Sequence, residues 1–220
     1  MRLLALEQSG RSVSAALTDG RVTREIRAPR EEGGEALLAF VHRLLSELGL
    51  AGTDLDALVC GVGPGSYTGV RVALGLAQGF ARAWGRPLLG LTGTEALARR
   101  APEQTDPPLP VLVALEAGLG QVARLWYRPG FAVRAEDHAL LTADELGAEG
   151  AGSAGPFVAV GHGLPWHRPP DWKRCRLYRP GEEATAQDLL ALVTGPRLEA
   201  APSPQDVAPL YLRPAVVPRG

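Results

Sequence analysis

The residues that could do chemistry cluster around one glycine-rich stretch, Gly61-Val62-Gly63-Pro64-Gly65-Ser66-Tyr67-Thr68-Gly69-Val70-Arg71. A short apolar strand precedes it and a long apolar helix, Val70 to Trp84, follows. A strand, a glycine turn and a helix in that order leave free backbone N–H groups at a helix start, which suit an anion or a closely docked partner. The stretch lacks the marks of familiar catalysts. A P-loop ends in Gly-Lys-Ser/Thr, but of the 23 basic residues only Lys173 is a lysine. A dinucleotide fingerprint starting at Gly61 or Gly63 needs a third glycine where Ser66 or Thr68 stands. A nucleophile elbow on Ser66 needs glycines where Pro64 and Thr68 stand. A tight connection without a ligand is therefore the plain alternative.

Other reactive types are scattered. His42, His138, His162 and His167 show no i, i+4 pair on a helix, so no metal site is expected and they read as surface or structural. Cys60 falls in an apolar strand and Cys175 in a basic loop, which suggests neither a disulfide framework nor a thiolate centre. Glu7 and Glu116 could offer carboxylates to a metal–nucleotide pair. No glycine pair late in the chain is shaped to hold an adenosine, unless Gly161-His162-Gly163 is a remnant. Residues 166–179 carry Arg168, Lys173, Arg174, Arg176 and Arg179 among Trp166, Trp172 and Tyr178. That is either an RNA-contacting surface or, more commonly, a solvated loop with its aromatics tucked beneath.

The elements that must position these residues follow an α/β order. Leu3 to Glu7 and Ser12 to Thr18 read as strands, Asp19-Gly20 as a hairpin turn and Arg21 to Arg27 as a half-exposed edge strand. Gly34 to Leu48 reads as an amphipathic helix closed by Gly49. Ala57 to Cys60 is a buried strand, Pro87 to Leu91 another, and Thr92 opens a helix with a capping box to Glu95. The proline-rich residues 101–110 mark a boundary. Beyond it the pattern restarts less regularly: strands at Val111 to Leu115, Val122 to Tyr127 and Phe131 to Arg134, a capped helix from Thr142, a strand at Phe157 to Gly161, and a short helix from Thr185 to Val193. The helix after the glycine stretch is apolar around its circumference. Ala73, Ala77, Phe80, Ala81 and Trp84 form one face and Val72, Leu76, Gly79 and Ala83 another. A helix of this kind is expected to be covered on both sides, by its sheet and by something else.

The chain has 220 residues, 45% hydrophobic and 21% charged, with a formal net charge of -1, as an ordinary globular protein has. Near neutrality gives no global attraction to nucleic acid. No signal segment or membrane-length apolar run is read, so the expected compartment is cytoplasmic.

Three stretches resemble the bacterial TsaB (YeaZ) family: Leu4-Ala5-Leu6-Glu7-Gln8-Ser9, the loop from Gly63 to Arg71, and the tail Pro209-Leu210-Tyr211-Leu212-Arg213. The sequence departs from the family where Glu7-Gln8 replaces Asp-Thr, where Glu32 replaces a histidine, and at Glu116-Ala117-Gly118 and Gln121-Val122-Ala123. The resemblance implies a duplicated actin-like ATPase (ASKHA, RNase H-like) fold, with two mixed sheets flanked by helices. It implies a first unit over residues 1–102 and a smaller one over 103–220, with tail 205–215 a candidate to return to the first. It further implies a non-catalytic subunit of the complex that makes threonylcarbamoyladenosine beside the anticodon of tRNAs reading ANN codons. The partners implied are TsaD and TsaE, with a homodimer when the chain is alone, indirect or weak tRNA contact, and no membrane. No cofactor is expected on this chain; ATP and metal belong to TsaD. The expected interface residues are Phe40, Val72, Gly75, Leu76, Gly79 and Ala83. Gly63, Gly65, Ser66, Tyr67, Thr68, Gly69 and Arg71 form a loop that could lie near a nucleotide. The alternatives are an autonomous ATPase or small-molecule kinase of the same fold, and a serine peptidase acting on its partner.

Overall fold

A computed structural model describes residues 1–30, 33–101 and 106–212. Glu32, the 102/103 boundary and tail residues 213–215 lie outside the described residues.

The chain builds the same five-stranded sheet twice. In the first, β1 (Leu3–Glu7), β2 (Ser12–Thr18) and β3 (Thr23–Pro29) run antiparallel, and β4 (Ala57–Gly61) and β5 (Leu88–Leu91) add in parallel, in the order β3-β2-β1-β4-β5. In the second, β6 (Val111–Gly118), β7 (Gln121–Tyr127) and β8 (His138–Thr142) run antiparallel, and β9 (Phe157–Gly161) and β10 (Cys175–Pro180) add in parallel, in the order β10-β9-β6-β7-β8. Position for position the two sheets match. This is the duplicated actin-like architecture.

Helices α1 (Gly33–Leu48) and α2 (Tyr67–Trp84) cover the outer face of the first sheet, and α4 (Ala143–Ala151) belongs to the second. Between the sheets lie α3 (Gly93–Arg100) and the short α5 (Ala186–Leu190); α6 (Gly195–Glu199) follows. Alternate residues of β1 therefore serve two cores. Leu4 and Leu6 pack under α1 and α2, whereas Ala5 faces Val111 and Val113 across the inter-sheet layer. That double burial explains why β1 and β4 read as unbroken apolar runs. A third cluster, on the outer face of the second sheet, centres on Phe157 and the fully buried Trp172. The Trp172 indole donates to the Gly147 carbonyl at 2.9 Å, and its ring fills the space where a Cβ on Gly150 would stand.

Several expectations change. Residues 131–134 are not a strand: Gly130 turns the chain with φ +87°, Phe131 is exposed, and the edge strand forms at His138–Thr142 instead. The basic segment is not all loop, because Cys175–Pro180 pairs with β9, and Cys175 is buried. Trp172 and Tyr178 are core aromatics, 6.0 Å apart edge to face, which leaves Trp166 alone in solvent. The helix expected from Val70 begins at Tyr67, since Ser66 caps it.

Candidate functional site

The glycine loop is shaped by what it is pressed against. Ser66 N–H donates to the Ser9 carbonyl at 2.8 Å, tying the loop to the β1–β2 turn. A Cβ on Gly65 would stand 2.2 Å from the Ser9 carbonyl oxygen and one on Gly69 2.0 Å from that of Gln8. Only glycine admits such backbone approach. The Ser66 hydroxyl accepts the Gly69 N–H at 3.2 Å, an N-cap that sets where α2 starts. The structure brings Gly63 to Arg71 together as one turn whose glycines serve packing and whose serine serves as a cap.

From that start α2 turns Val70, Ala73, Leu74, Ala77 and Ala81 into the core. Phe80 and Trp84 stack at 4.5 Å, and Trp84 lies over Gly52, so both lean on the chain's own surface. The opposite row differs. Gly75, Gly79 and Ala83 are exposed, Val72 and Leu76 are half-buried, and a Cβ on Gly75 or Gly79 would meet nothing within 4 Å. On α1, Leu37, Val41 and Leu44 are buried, Phe40 is half-buried and Leu38 is exposed. Of the six residues expected at an interface, Gly75, Gly79 and Ala83 are thus open to solvent and Phe40, Val72 and Leu76 are partly covered by the chain itself.

The tail reaches the same place from the other end. Val207 is buried in the core beneath α1 and α2, the Gln78 amide donates to the carbonyls of Pro204 and Val207 at 3.0 and 3.1 Å, and Leu210 N–H donates to Val62 O at 2.8 Å. At the mouth of the loop the Arg71 guanidinium lies 3.9 Å from the Tyr67 ring centre, and its Nε donates to the Tyr211 hydroxyl at 2.7 Å. Cation–π attraction and the hydrogen bond together hold the strap. The sequence showed the tail motif but not this anchoring by Gln78, because strap and helix lie 129 residues apart.

Between the two sheets' hairpin turns opens a cleft of about 810 Å³. The first hairpin contributes Ser9, Gly10 and Arg11 and the second Glu116 and Gly118, with Arg30, Tyr67, Arg71, His162 and Tyr211 around them. His162 Nδ1 accepts the Glu116 N–H at 3.2 Å, and burial holds its pKa below the ordinary histidine value, so its ring is neutral near pH 7. His138 lies elsewhere, 2.7 Å from the Thr94 hydroxyl, and burial lowers its pKa too. His42 and His167 are exposed. Among the described residues no three metal-ligating side chains converge. Nothing in the spacing of Arg11 and Arg30 singles them out in the sequence; the β2–β3 pairing brings them to the cleft.

Glu7 and Glu116, the two carboxylates considered for nucleotide chemistry, part company. Glu116 reaches the cleft, but Glu7 is buried beneath it with one oxygen on the Ser9 N–H at 2.5 Å and the other without a partner. Burial raises its pKa from 4.5 to about 7, against the opposing hydrogen bonds of Ser9. No helix among the described residues is long and apolar enough to cross a membrane.

Known proteins are similar to this chain in sequence and in shape. A family model described as TsaD, tRNA N6-adenosine threonylcarbamoyltransferase, matches residues 31–146. The tRNA threonylcarbamoyladenosine biosynthesis protein TsaB of Escherichia coli is 32% identical over 175 residues, covering 78% of this chain and 74% of that protein. The structure of YeaZ from Pseudomonas aeruginosa superposes with a TM-score of 0.73 at 26% identity, covering 95% of this chain and all (100%) of that one. A second structure, of an uncharacterized protein with similarity to peptidase YEAZ from the same organism, gives 0.77 at 27% identity, covering 96% of this chain and 99% of that one.

Proposed function

The chain belongs to the TsaB (YeaZ) family, and we propose that it works in tRNA threonylcarbamoyladenosine biosynthesis as a non-catalytic scaffold that binds and supports TsaD. The observation that carries this reading is the outer row of α2: apolar or glycine, beside Phe40 and Leu38 of α1, with Gly75, Gly79, Ala83 and Leu38 exposed and Val72, Leu76 and Phe40 only half-buried. A row of that kind in water is unfavourable, and a partner's equivalent helices would bury it. Gly75 and Gly79 let those helices approach to backbone distance. With TsaD absent the same row pairs two copies of this chain; with TsaD present it forms the heterodimer that TsaE joins.

In this reading ATP and its metal sit on TsaD. The loop from Gly63 to Arg71 lies beside the nucleotide from this chain's side and sets the angle of α2 rather than doing chemistry. Residues 1–102 carry the seam, and residues 103–220 brace it through the tail. Three features favour a scaffold over an autonomous ATPase or kinase: Glu7 is sealed from the cleft, Glu116 is the carboxylate that lines it, and the chain has one lysine. A peptidase reading gains nothing from Ser66, whose hydroxyl is engaged as a helix cap.

Leu76→Asp tests the seam. Light scattering after size exclusion is expected to show a folded monomer, and pull-down with TsaD is expected to fail. A variant that still dimerises and still captures TsaD removes α2 from the seam. Magnesium-dependent ATP turnover by the purified chain alone would favour the kinase reading instead.

A further inference from the structure

The free edge of the second sheet carries a concentration of charge that the docking reading does not use. Residues 166–179 hold five basic side chains and one acid, Asp171, in a chain whose net charge is -1. Arg179 pairs with Glu182 at 3.6 Å, but Arg168, Lys173, Arg174 and Arg176 meet no carboxylate among the described residues. The nearby acids are engaged elsewhere: Glu149 with Arg124 and the Trp126 indole, Glu182 with Arg100, Glu183 with Arg27. All four free cations are exposed.

Two of the four are fixed without being neutralised. Arg168 donates to the Cys175 carbonyl at 2.9 Å and Arg174 to the Ser153 carbonyl at 2.7 Å, so each guanidinium keeps its charge and its remaining N–H groups for a ligand. Trp166, 72% exposed, lies along the same edge, its ring over Gly181 just past the end of β10, where a Cβ would come within 3.4 Å of it. The Tyr178 hydroxyl pins the preceding residue by donating to the Pro165 carbonyl at 2.5 Å. An indole held in water on the same sheet edge as four unneutralised cations, spread along the length of β10, matches single-stranded RNA, which offers phosphates and unstacked bases together. A double helix or an acidic peptide would engage the cations but leave the indole idle.

We propose that Trp166, Arg168, Lys173, Arg174 and Arg176 form an RNA-binding edge that tracks a phosphate backbone and stacks one unpaired base on the indole. That the RNA is a tRNA rests on the function proposed above; the chemistry of the edge does not.

The test is fluorescence anisotropy of labelled unmodified tRNA titrated with the purified chain at several salt concentrations. Lys173→Glu with Arg176→Glu, whose side chains make no hydrogen bond among the described residues, is expected to weaken binding at least ~10-fold and to flatten the logarithmic salt dependence by about two. Trp166→Ala is expected to weaken it about 5-fold or more, with thermal unfolding and dimer mass unchanged. Wild-type affinity in both variants overturns the proposal. So does a Trp166→Ala variant that binds normally while the charge variant loses tRNA and duplex DNA alike, since that outcome describes charge without stacking. Leu76→Asp leaves this titration untouched, so the edge and the seam fail or stand separately.

Discussion

Glu7 shows how a residue can be conspicuous in sequence and differ in role once placed. Its carboxyl looks available to a metal, yet Gly61 lacks a side chain so that this carboxyl can pack, fully buried, against the strand, with Cys60 and Glu183 among its neighbours. Burial lifts its pKa to about 7, whereas the unfolded chain titrates near 4.5. The folded state therefore holds the proton that the unfolded state has released. Stability falls as pH rises from 4.5 to about 7, and the full cost, about 3 kcal/mol, stands above that. Glu7→Gln keeps the acceptor for Ser9 and removes the charge. It is expected to raise the melting temperature by about 5–10 °C at pH 8 and to change little at pH 4.5; an equal shift at both would mean that ionisation is not the cause. Ser66 changed role as well. Read as a loop residue ahead of a helix from Val70, it is the N-cap of a helix that begins at Tyr67.

At the level of elements, the first half was legible because its signals are strong and local. The Asp19-Gly20 turn, the stripe of α1 and the cap at Thr92 each state their structure within a few residues, although the box expected at Thr92 is half-made, since the Glu95 carboxylate turns to Arg99 and Arg197. The second half was less so. β10 is an edge strand that carries Arg176, Arg179 and Pro180, and its pairing is with β9 alone. β8 likewise follows a loop whose exposed Phe131 imitates a strand residue. For α2 the glycines separate two kinds of reason. Gly65→Ala drives a Cβ into the Ser9 carbonyl and is expected to cost roughly 2 kcal/mol or more. Gly75→Ala points a methyl into open space and is expected to stabilise the monomer by about 0.5–1 kcal/mol. If the seam lies there, the same methyl loosens the dimer. Denaturant midpoints read the first effect and concentration-dependent mass the second; a Gly75→Ala dimer as tight as wild type would count against close helix approach.

Across the whole molecule, the two sheets share one apolar layer. Leu97 of α3 and Leu189 of α5 are completely buried between Ala5 and Val59 of one sheet and Val111 and Val113 of the other. Arg100 reaches Glu182 and Asp188, and Ser14 accepts the Ala186 N–H at 2.9 Å, so polar ties cross the same layer. The two halves are therefore expected to unfold together. Leu189→Ala is expected to cost about 2–5 kcal/mol and to lower hydrogen-exchange protection equally in both sheets. Protection lost from one sheet alone would show the layer to be less coupling than its burial suggests. The sequence announced the duplication but not this sharing, because nothing local tells an alanine which sheet it will face.

The strap that Gln78 and Val207 hold has a bearing on how the protein is made. The two residues are 129 positions apart, which a ribosome covers in on the order of ten seconds. Throughout that interval the newborn helix lacks Val207 behind it and the carbonyls that Gln78 will bind. Its inner side is thus completed only once the strap has left the ribosome.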